Sequence, residues 1–382
     1  MTNQTIRVGF VGAGANGRKH HIPKLRAQPG IELTAVANRT KESGDRIAAE
    51  FGVKRVYGDW RELVRASDID AVCIGTWPNT HCEITRAVLE NGKHVLCEAR
   101  MAVDAAEGRR MLDAARRAPH LVAQLVPAPN TLEVDSTVQA LLAEGYVGET
   151  LAIEIQANQA RFVDPNEPLH WRQDAALSGL NVMTMGIWYE ALMRWLGPAR
   201  RVTAMTKIAV PRRKDEAGVW QDVKVPDHVD ILAAMANGAV AHLRVSTVTA
   251  LAPPSEVWIF GTEGTLRVES DAKRVSGGRR GEKELREIPI PCGAARAAAR
   301  PSTSPSSDRY QPFVKSLTTT ATTAPTSSAS PANASADHRT LVVVSVSDPW
   351  CARTGAASRP ISSARRRTRM RRVYRTARST RS

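Results

Sequence analysis

Aromatic residues, cysteines and long apolar runs are all scarce in this chain. Only 5% of the 382 residues are Phe, Trp or Tyr, and five are Cys. No segment approaches the ~18 consecutive apolar residues of a membrane span, so the expectation is a protein with no membrane partner. Cys73, Cys82, Cys97, Cys292 and Cys351 are odd in number and form no C-x-x-C pair. That pattern excludes a disulfide framework and predicts reduced thiols in a cytoplasmic setting. The opening M-T-N-Q-T runs straight into an apolar strand, so no secretory leader is expected. A nucleophile elbow, glycosidase-like paired carboxylates and a His/Cys metal cluster are all missing from the pattern. Asp227, His228 and Asp230 stand just before a strand and read as a polar turn, leaving no metal site to propose.

Acidic residues are missing from one region in particular. From Cys292 to Ser382 there are 16 Lys and Arg against three Asp and no Glu, a net +13. The remaining 291 residues carry only +2 of the chain's formal +15. The basicity therefore belongs to the tail, and the body carries no signature of a nucleic-acid partner. The tail reads A-A-R-A-A-A-R, P-S-T-S-P-S-S and A-R-R-R-T-R-M-R-R, a composition that cannot bury a core. Read one nucleotide earlier, the Thr codons of 316–324 become His, Asn, Asp or Tyr codons and Ser codons become apolar ones. The expectation is a basic low-complexity segment over 291–382 created by a single-nucleotide shift near Pro291. The alternative is a basic disordered arm that binds anionic surfaces.

The body opens on a different pattern. Ile6 to Gly17 reads I-R-V-G-F-V-G-A-G-A-N-G, a β-branched strand entering Gly12, Gly14 and Gly17. A helix-compatible segment (18–28) and a second strand (31–37) complete a βαβ unit. Gly12 allows the tight turn, Gly14 lets backbone amides approach a diphosphate, and Gly17 lets helix and strand pack closely. Asn16 sits within the same turn, and the anion would rest at the positive end of the helix. Asn38 and Arg39 follow the second strand, where an NAD-specific fold places an acid against the ribose. The acid is absent, and Arg39 suits a 2′-phosphate or the adenine face, so the cofactor is NAD or NADP with a slight lean to NADP. Further helices are expected over 41–51, 60–66 and 82–91, with strands over 55–57, 71–76 and 94–97. Ligands of doubly wound sheets bind at the carboxyl ends of strands. Thr76, Asn79, His81 and Glu98 are therefore expected to line one crevice. In the second half, strands are expected over 151–157, 202–210, 229–236, 240–247, 256–260 and 265–269.

The glycine turn, A-V-C-I-G-T-W-P-N-T-H (71–81) and G-K-H-V-L-C-E (92–98) resemble the Gfo/Idh/MocA oxidoreductase family. The similarity continues through Trp171-Arg172, 178–197 and I-F-G-T-E-G-T-L-R (259–267), covering about residues 5 to 290. It implies an α/β protein with a doubly wound Rossmann domain (1–125) and an α+β domain with a large, mostly antiparallel sheet (126–290). It also implies hydride transfer between a nicotinamide cofactor and a sugar, polyol or similar small-molecule substrate, and a homo-oligomer paired through the second sheet. Members commonly carry Glu-Lys-Pro, whose lysine touches both nicotinamide and substrate, where this chain has Glu98-Ala99-Arg100. An Asp and a His four residues apart on a helix are replaced by Thr184 and Trp188, neither of which is a base near neutral pH. Tyr189 and Arg100 become the expected catalytic pair, with Glu190 as a further candidate and His170, Trp171 and Arg172 as substrate contacts. Two alternatives stay open. One is a cofactor-binding scaffold that has lost chemistry, and the other is a glycosidase assisted by tightly held NAD.

Overall fold

The computed structural model describes residues 5–126, 132–182, 184–269 and 273–290; the basic segment expected over 291–382 lies outside the described residues. The first half alternates strand and helix. β1 (Ile6–Val11) leads through a wide helical turn (Gly17–His21) into α1 (Ile22–Arg26), followed by β2 (Ile31–Ala37) and α2 (Lys41–Phe51). Then come β3 (Arg55–Tyr57), α3 (Trp60–Arg65), β4 (Ala71–Ile74), α4 (Pro78–Glu90), β5 (His94–Cys97), α5 (Ala105–Arg117) and β6 (Ala123–Leu125). The six strands form one parallel sheet in the order β3-β2-β1-β4-β5-β6, so the chain reverses direction across the sheet between β1 and β4. That reversal opens a crevice above the strand ends.

Local chemistry explains the boundaries. Thr40, Asp59 and Asp104 each accept a backbone N–H of the following helix, at Ser43, Arg61 and Glu107. These bonds satisfy amides the first helical turn cannot satisfy itself. Gly52 closes α2 in the left-handed conformation. Helix α4 starts at Pro78, four residues before the expected Cys82, because proline is well suited to the first helical position. His81 thereby moves from the loop into the helix. All four residues of β4 are buried, as a sheet covered by helices on both faces requires.

The second half holds α6 (Leu132–Ala143), β7 (Thr150–Asn158), a short turn of helix at Trp171–Gln173, α7 (Ala175–Ser178) and α8 (Met185–Leu196). The strands β8 (Ala199–Lys207), β9 (Arg212–Lys214), β10 (Trp220–Asp222), β11 (His228–Met235) and β12 (Val240–Ser246) follow. The described part closes with β13 (Glu256–Gly261), β14 (Gly264–Glu269), β15 (Arg274–Arg279) and β16 (Arg286–Ile288). Eight of these strands make one sheet, β16-β15-β14-β13-β7-β12-β11-β8, antiparallel except for β12 beside β7, while β9 and β10 pair separately. Alternate residues such as Ile153, Ile155, Leu243, Val257 and Ile259 point to one face and bury against Trp188 and Leu192 of α8 and Val138 of α6. The other face carries no helix among the described residues. It exposes Met205, Leu232 and Val240 and stacks Trp258 on Phe260. On it Asp230 accepts hydrogen bonds from His228, His242 and Arg244, so His228 and Asp230 lie inside β11 rather than in a turn, and only Asp227 precedes the strand.

Candidate active site

The glycine turn sits where β1 meets β4. Gly12 has φ +79°, and a Cβ there would come within 2.7 Å of the Thr76 nitrogen, so this position accepts glycine alone. Gly17 packs its bare Cα against the Phe10 ring, where a Cβ would sit 3.0 Å away. Gly14 differs, because a Cβ on it would meet no atom within 4 Å. It faces open space, and the residue itself is exposed. Asn38 accepts the Ala13 N–H at 2.7 Å and donates to Ser43, which fixes the loop and occupies both ends of the amide. The loop thus leaves open space over Gly14 beside a helix start, while the N–H groups of Gly12, Ala13 and Gly14 are taken by Ala37, Asn38 and Gly12.

Next to this loop the expected Asn16 and Glu98 come together with a third residue, His21, that the sequence pattern did not point to. The Glu98 carboxylate bonds to the buried His21 ring and to the Asn16 side chain through one oxygen, while its other oxygen accepts the Ala99 N–H at 2.9 Å. Burial works against ionisation of Glu98, but the hydrogen bond and charge of His21 outweigh it and hold the carboxyl below its ordinary value. His21 lies in a basic R-K-H-H run at a helix start, so only its three-dimensional position distinguishes it from its neighbours.

His81 is fully buried rather than lining the crevice. Its ring bridges the Thr76 carbonyl (3.0 Å) and the Arg100 carbonyl (2.8 Å), tying the end of β4 to the turn after β5. Burial pushes its pKa down, against the pull of those carbonyls. Thr76 accepts the Thr80 hydroxyl at 2.7 Å, and Asn79 is exposed in the first turn of α4.

Arg100 reaches across to the second domain, donating to the Asn181 carbonyl at 2.7 Å. Asn181 in turn donates to the Ala102 and Ser178 carbonyls. Gly179, with φ +65°, lies so close to the Val103 carbonyl that no side chain fits there. Burial and the nearby Arg172 lower the Arg100 pKa to about 10. Facing it, Trp171 stacks against Trp77 with ring centres 6.4 Å apart. Arg39 lies over Trp77 at 5.3 Å, and Arg172 over Trp171 at 4.2 Å. His170 takes the Arg172 N–H on Nδ1 and faces Arg161 at 3.2 Å with Nε2. Burial and the positive charges of Arg161, Arg172 and Arg100 lower its pKa to about 4.

Tyr189 does not join this group. Its hydroxyl accepts the Ala199 N–H at the start of β8, and its ring packs on the second-domain core. Glu190 is paired with Arg194 at 2.5 Å. Trp188, at the position of the expected histidine, is buried in the core, and the Thr184 hydroxyl is buried without a hydrogen-bond partner among the described residues.

A Rossmann sheet whose glycine turn opens on a crevice, walled on the far side by an α+β domain, defines a dinucleotide-dependent oxidoreductase. Residues 6–125 match the family described as "Oxidoreductase family, NAD-binding Rossmann fold", and residues 136–267 match "GFO/IDH/MocA C-terminal domain". The chain belongs to the Gfo/Idh/MocA oxidoreductase family. It is 28% identical over 299 residues to levoglucosan dehydrogenase of Pseudarthrobacter phenanthrenivorans, covering 69% of this chain and 73% of that protein. It is 33% identical over 122 residues to inositol 2-dehydrogenase of Klebsiella pneumoniae, covering 32% of this chain and 36% of the relative. The solved structure of levoglucosan dehydrogenase with NADH and L-sorbose superposes with TM-score 0.73 at 23% identity, covering 83% of this chain and 90% of that one. An inositol dehydrogenase homologue from Azotobacter vinelandii with NAD+ gives TM-score 0.70 at 21% identity, covering 82% and 86%.

Proposed function

We propose that the chain oxidises or reduces a sugar-like or polyol substrate with NAD or NADP, using Arg100 in place of the usual lysine. The supporting observation is the placement of Arg100: its carbonyl is held by His81, its guanidinium by Asn181, and it adjoins the Trp171–Arg172 wall across from the glycine turn. The loop from Gly12 to Gly17 would hold the diphosphate, with Arg39 beside the adenosine end. When bound, the nicotinamide supplies the hydride acceptor. A guanidinium near the substrate hydroxyl would stabilise the alkoxide formed as the hydroxyl proton passes to the Glu98–His21 pair or to water, and loss of hydride from the same carbon would then leave the carbonyl. Trp171 packs an apolar sugar face, and Arg172 and His170 bond to hydroxyls.

A second reading, a cofactor-binding protein without turnover, draws support from Ala99 and from Trp188, which replace the usual polar groups with apolar ones. The outer face of the second sheet, with Met205, Leu232 and Val240 exposed beside stacked Trp258 and Phe260, supports pairing between two copies of the chain.

NADH and NADPH fluorescence titration is the first test, followed by steady-state turnover across a panel of sugars and polyols. Micromolar binding with turnover, reduced about 10²–10³-fold in Arg100→Met at unchanged cofactor affinity, supports the proposal. Absence of cofactor binding overturns it. Binding without any turnover selects the scaffold.

A further inference from the structure

The crevice holds an excess of positive charge, offset in part by Glu98, whose carboxylate favours the charged form of Arg172 without pairing with it. Arg100 and Arg172 both place their guanidinium carbons near one indole, 5.9 and 4.2 Å from the centre of Trp171. Arg161 completes the group by approaching the other face of the cluster through His170 at 3.2 Å. Among the described residues none of these three arginines forms an ion pair with a carboxylate. Other arginines of the chain do so repeatedly, including Arg7 with Asp70, Arg55 with Asp68 and Arg194 with Asp135. Of the acids near in sequence, Asp164 caps its own loop at Asn166, Asp174 caps α7, and Glu167 is exposed to water. Glu98 is bound to His21, Asn16 and its own loop.

Arg100 and Arg172, partly removed from water, repel each other and are repelled by Arg161 at the rim. Burial and that repulsion together push the Arg172 pKa down, and lower that of His170 as well. The arrangement stores unfavourable electrostatic energy that an anion would relieve. A planar, bidentate guanidinium matches a carboxylate or a phosphate in geometry as well as charge.

From this geometry we propose that the substrate is an acidic sugar or polyol, bearing a carboxylate or phosphate that Arg172 grips while Trp171 packs its ring and Arg100 stays at the reacting hydroxyl. Arg161 contributes long-range attraction from the rim, where it remains exposed. The anion fixes one end of the substrate and so decides which hydroxyl is presented for oxidation. This inference rests on the proposed oxidoreductase function and narrows its substrate class.

The test uses the full chain with NADH bound, established first by fluorescence titration. Matched pairs are then titrated by calorimetry: glucose against glucuronate and glucose 6-phosphate, galactose against galacturonate, sorbitol against gluconate, inositol against inositol 1-phosphate. The expected result is at least tenfold tighter binding of an acidic partner than of its neutral counterpart. Whether the carboxylates or the phosphates show the preference identifies the anion. In Arg172→Met the ratio falls below threefold while NADH affinity stays within about twofold. Equal binding within every pair, no binding by any acid, or a preference that survives Arg172→Met overturns the proposal. If Arg172→Met instead weakens NADH and leaves the acid preference intact, the arginines serve the cofactor and the proposal fails. Failure of NADH to bind in the first step is a separate result, which overturns the dehydrogenase reading itself.

Discussion

Trp77 and Trp171 stack with ring centres 6.4 Å apart and planes at 29°, one at the carboxyl end of a Rossmann strand and the other in the second domain. Arg39 lies 5.3 Å from the centre of the Trp77 ring and Arg172 4.2 Å from that of Trp171, which adds two cations to the column the rings make across the crevice. The column joins the two halves of the protein at the place where substrate and coenzyme would meet.

Truncating one ring should therefore act on the substrate more than on the coenzyme. Trp171→Ala is expected to raise substrate KM about 10- to 100-fold, with NADH affinity changed less than threefold, because the glycine turn lies outside the column. Initial-rate kinetics and fluorescence titration together check this. Equal losses in both would show that the column supports the coenzyme instead.

The two crevice glycines should fail differently. Gly12→Ala forces a Cβ against Thr76 at a positive φ, and is expected to lower the melting temperature as well as NADH affinity. Gly14→Ala meets no protein atom, so its melting temperature should match wild type while NADH binding falls at least tenfold. A Gly14→Ala protein that binds NADH normally would remove the diphosphate from that turn.

Tyr189→Phe should keep at least a third of wild-type turnover, since the lost hydroxyl meets only the Ala199 amide. Sequence reasoning favoured the opposite outcome. A loss of two orders of magnitude or more, measured by steady-state kinetics, would restore Tyr189 as the proton relay.

Acid should destabilise the fold. Burial lowers the pKa of His81, His94 and His170, so the folded state prefers neutral imidazoles, whereas the unfolded chain takes up protons near 6.5. Their contribution is complete above that value and is lost as pH falls toward the folded pKa, about 4 for His170. Asp70, Asp230 and Glu98, held below their ordinary values, act with the same sign at still lower pH. Melting temperature should hold between pH 7.5 and about 7 and decline from about pH 6.5 to 5. A flat or rising profile contradicts this account.

Arg213 is fully buried and donates to the carbonyls of Phe162, Asp164 and Glu167, pinning the loop that leads to His170. Arg213→Met leaves those carbonyls without their donor and should cost roughly 2–4 kcal/mol. Denaturant unfolding measures it. A change under about 0.5 kcal/mol would show that water replaces the guanidinium at no penalty.

The Rossmann half was legible because its signals are local: a β-branched run entering spaced glycines, and turns between short apolar strands. Six of the ten second-half strands were legible for the same reason, through alternation and Asn-Gly or Glu-Gly turns, although β8 starts at Ala199 rather than 202, and β9, β10, β15 and β16, short or rich in Arg and Gly, carry no such pattern. The site was less so. Nothing near His21 in sequence signals Glu98, and their contact exists only because β5 lies next but one to β1 in the sheet. Tyr189 shows the converse, since helical spacing places it near Trp188 but says nothing of where its hydroxyl ends. The pairing of Arg100 with Asn181 depends on Gly179 docking against Val103, a long-range packing event that no periodicity encodes.

Strand β8 forms one rim of the eight-stranded sheet, and all its residues after Ala199 are exposed. Arg200 and Arg201 stand at one end of it and Lys207 at the other. A copy of the chain trying to extend the ladder there would bring these cations against their own counterparts, which penalises open-ended growth into fibres. The rim thus acts as a stop, and it leaves the flat of the sheet as the surface on which copies can meet without templating one another.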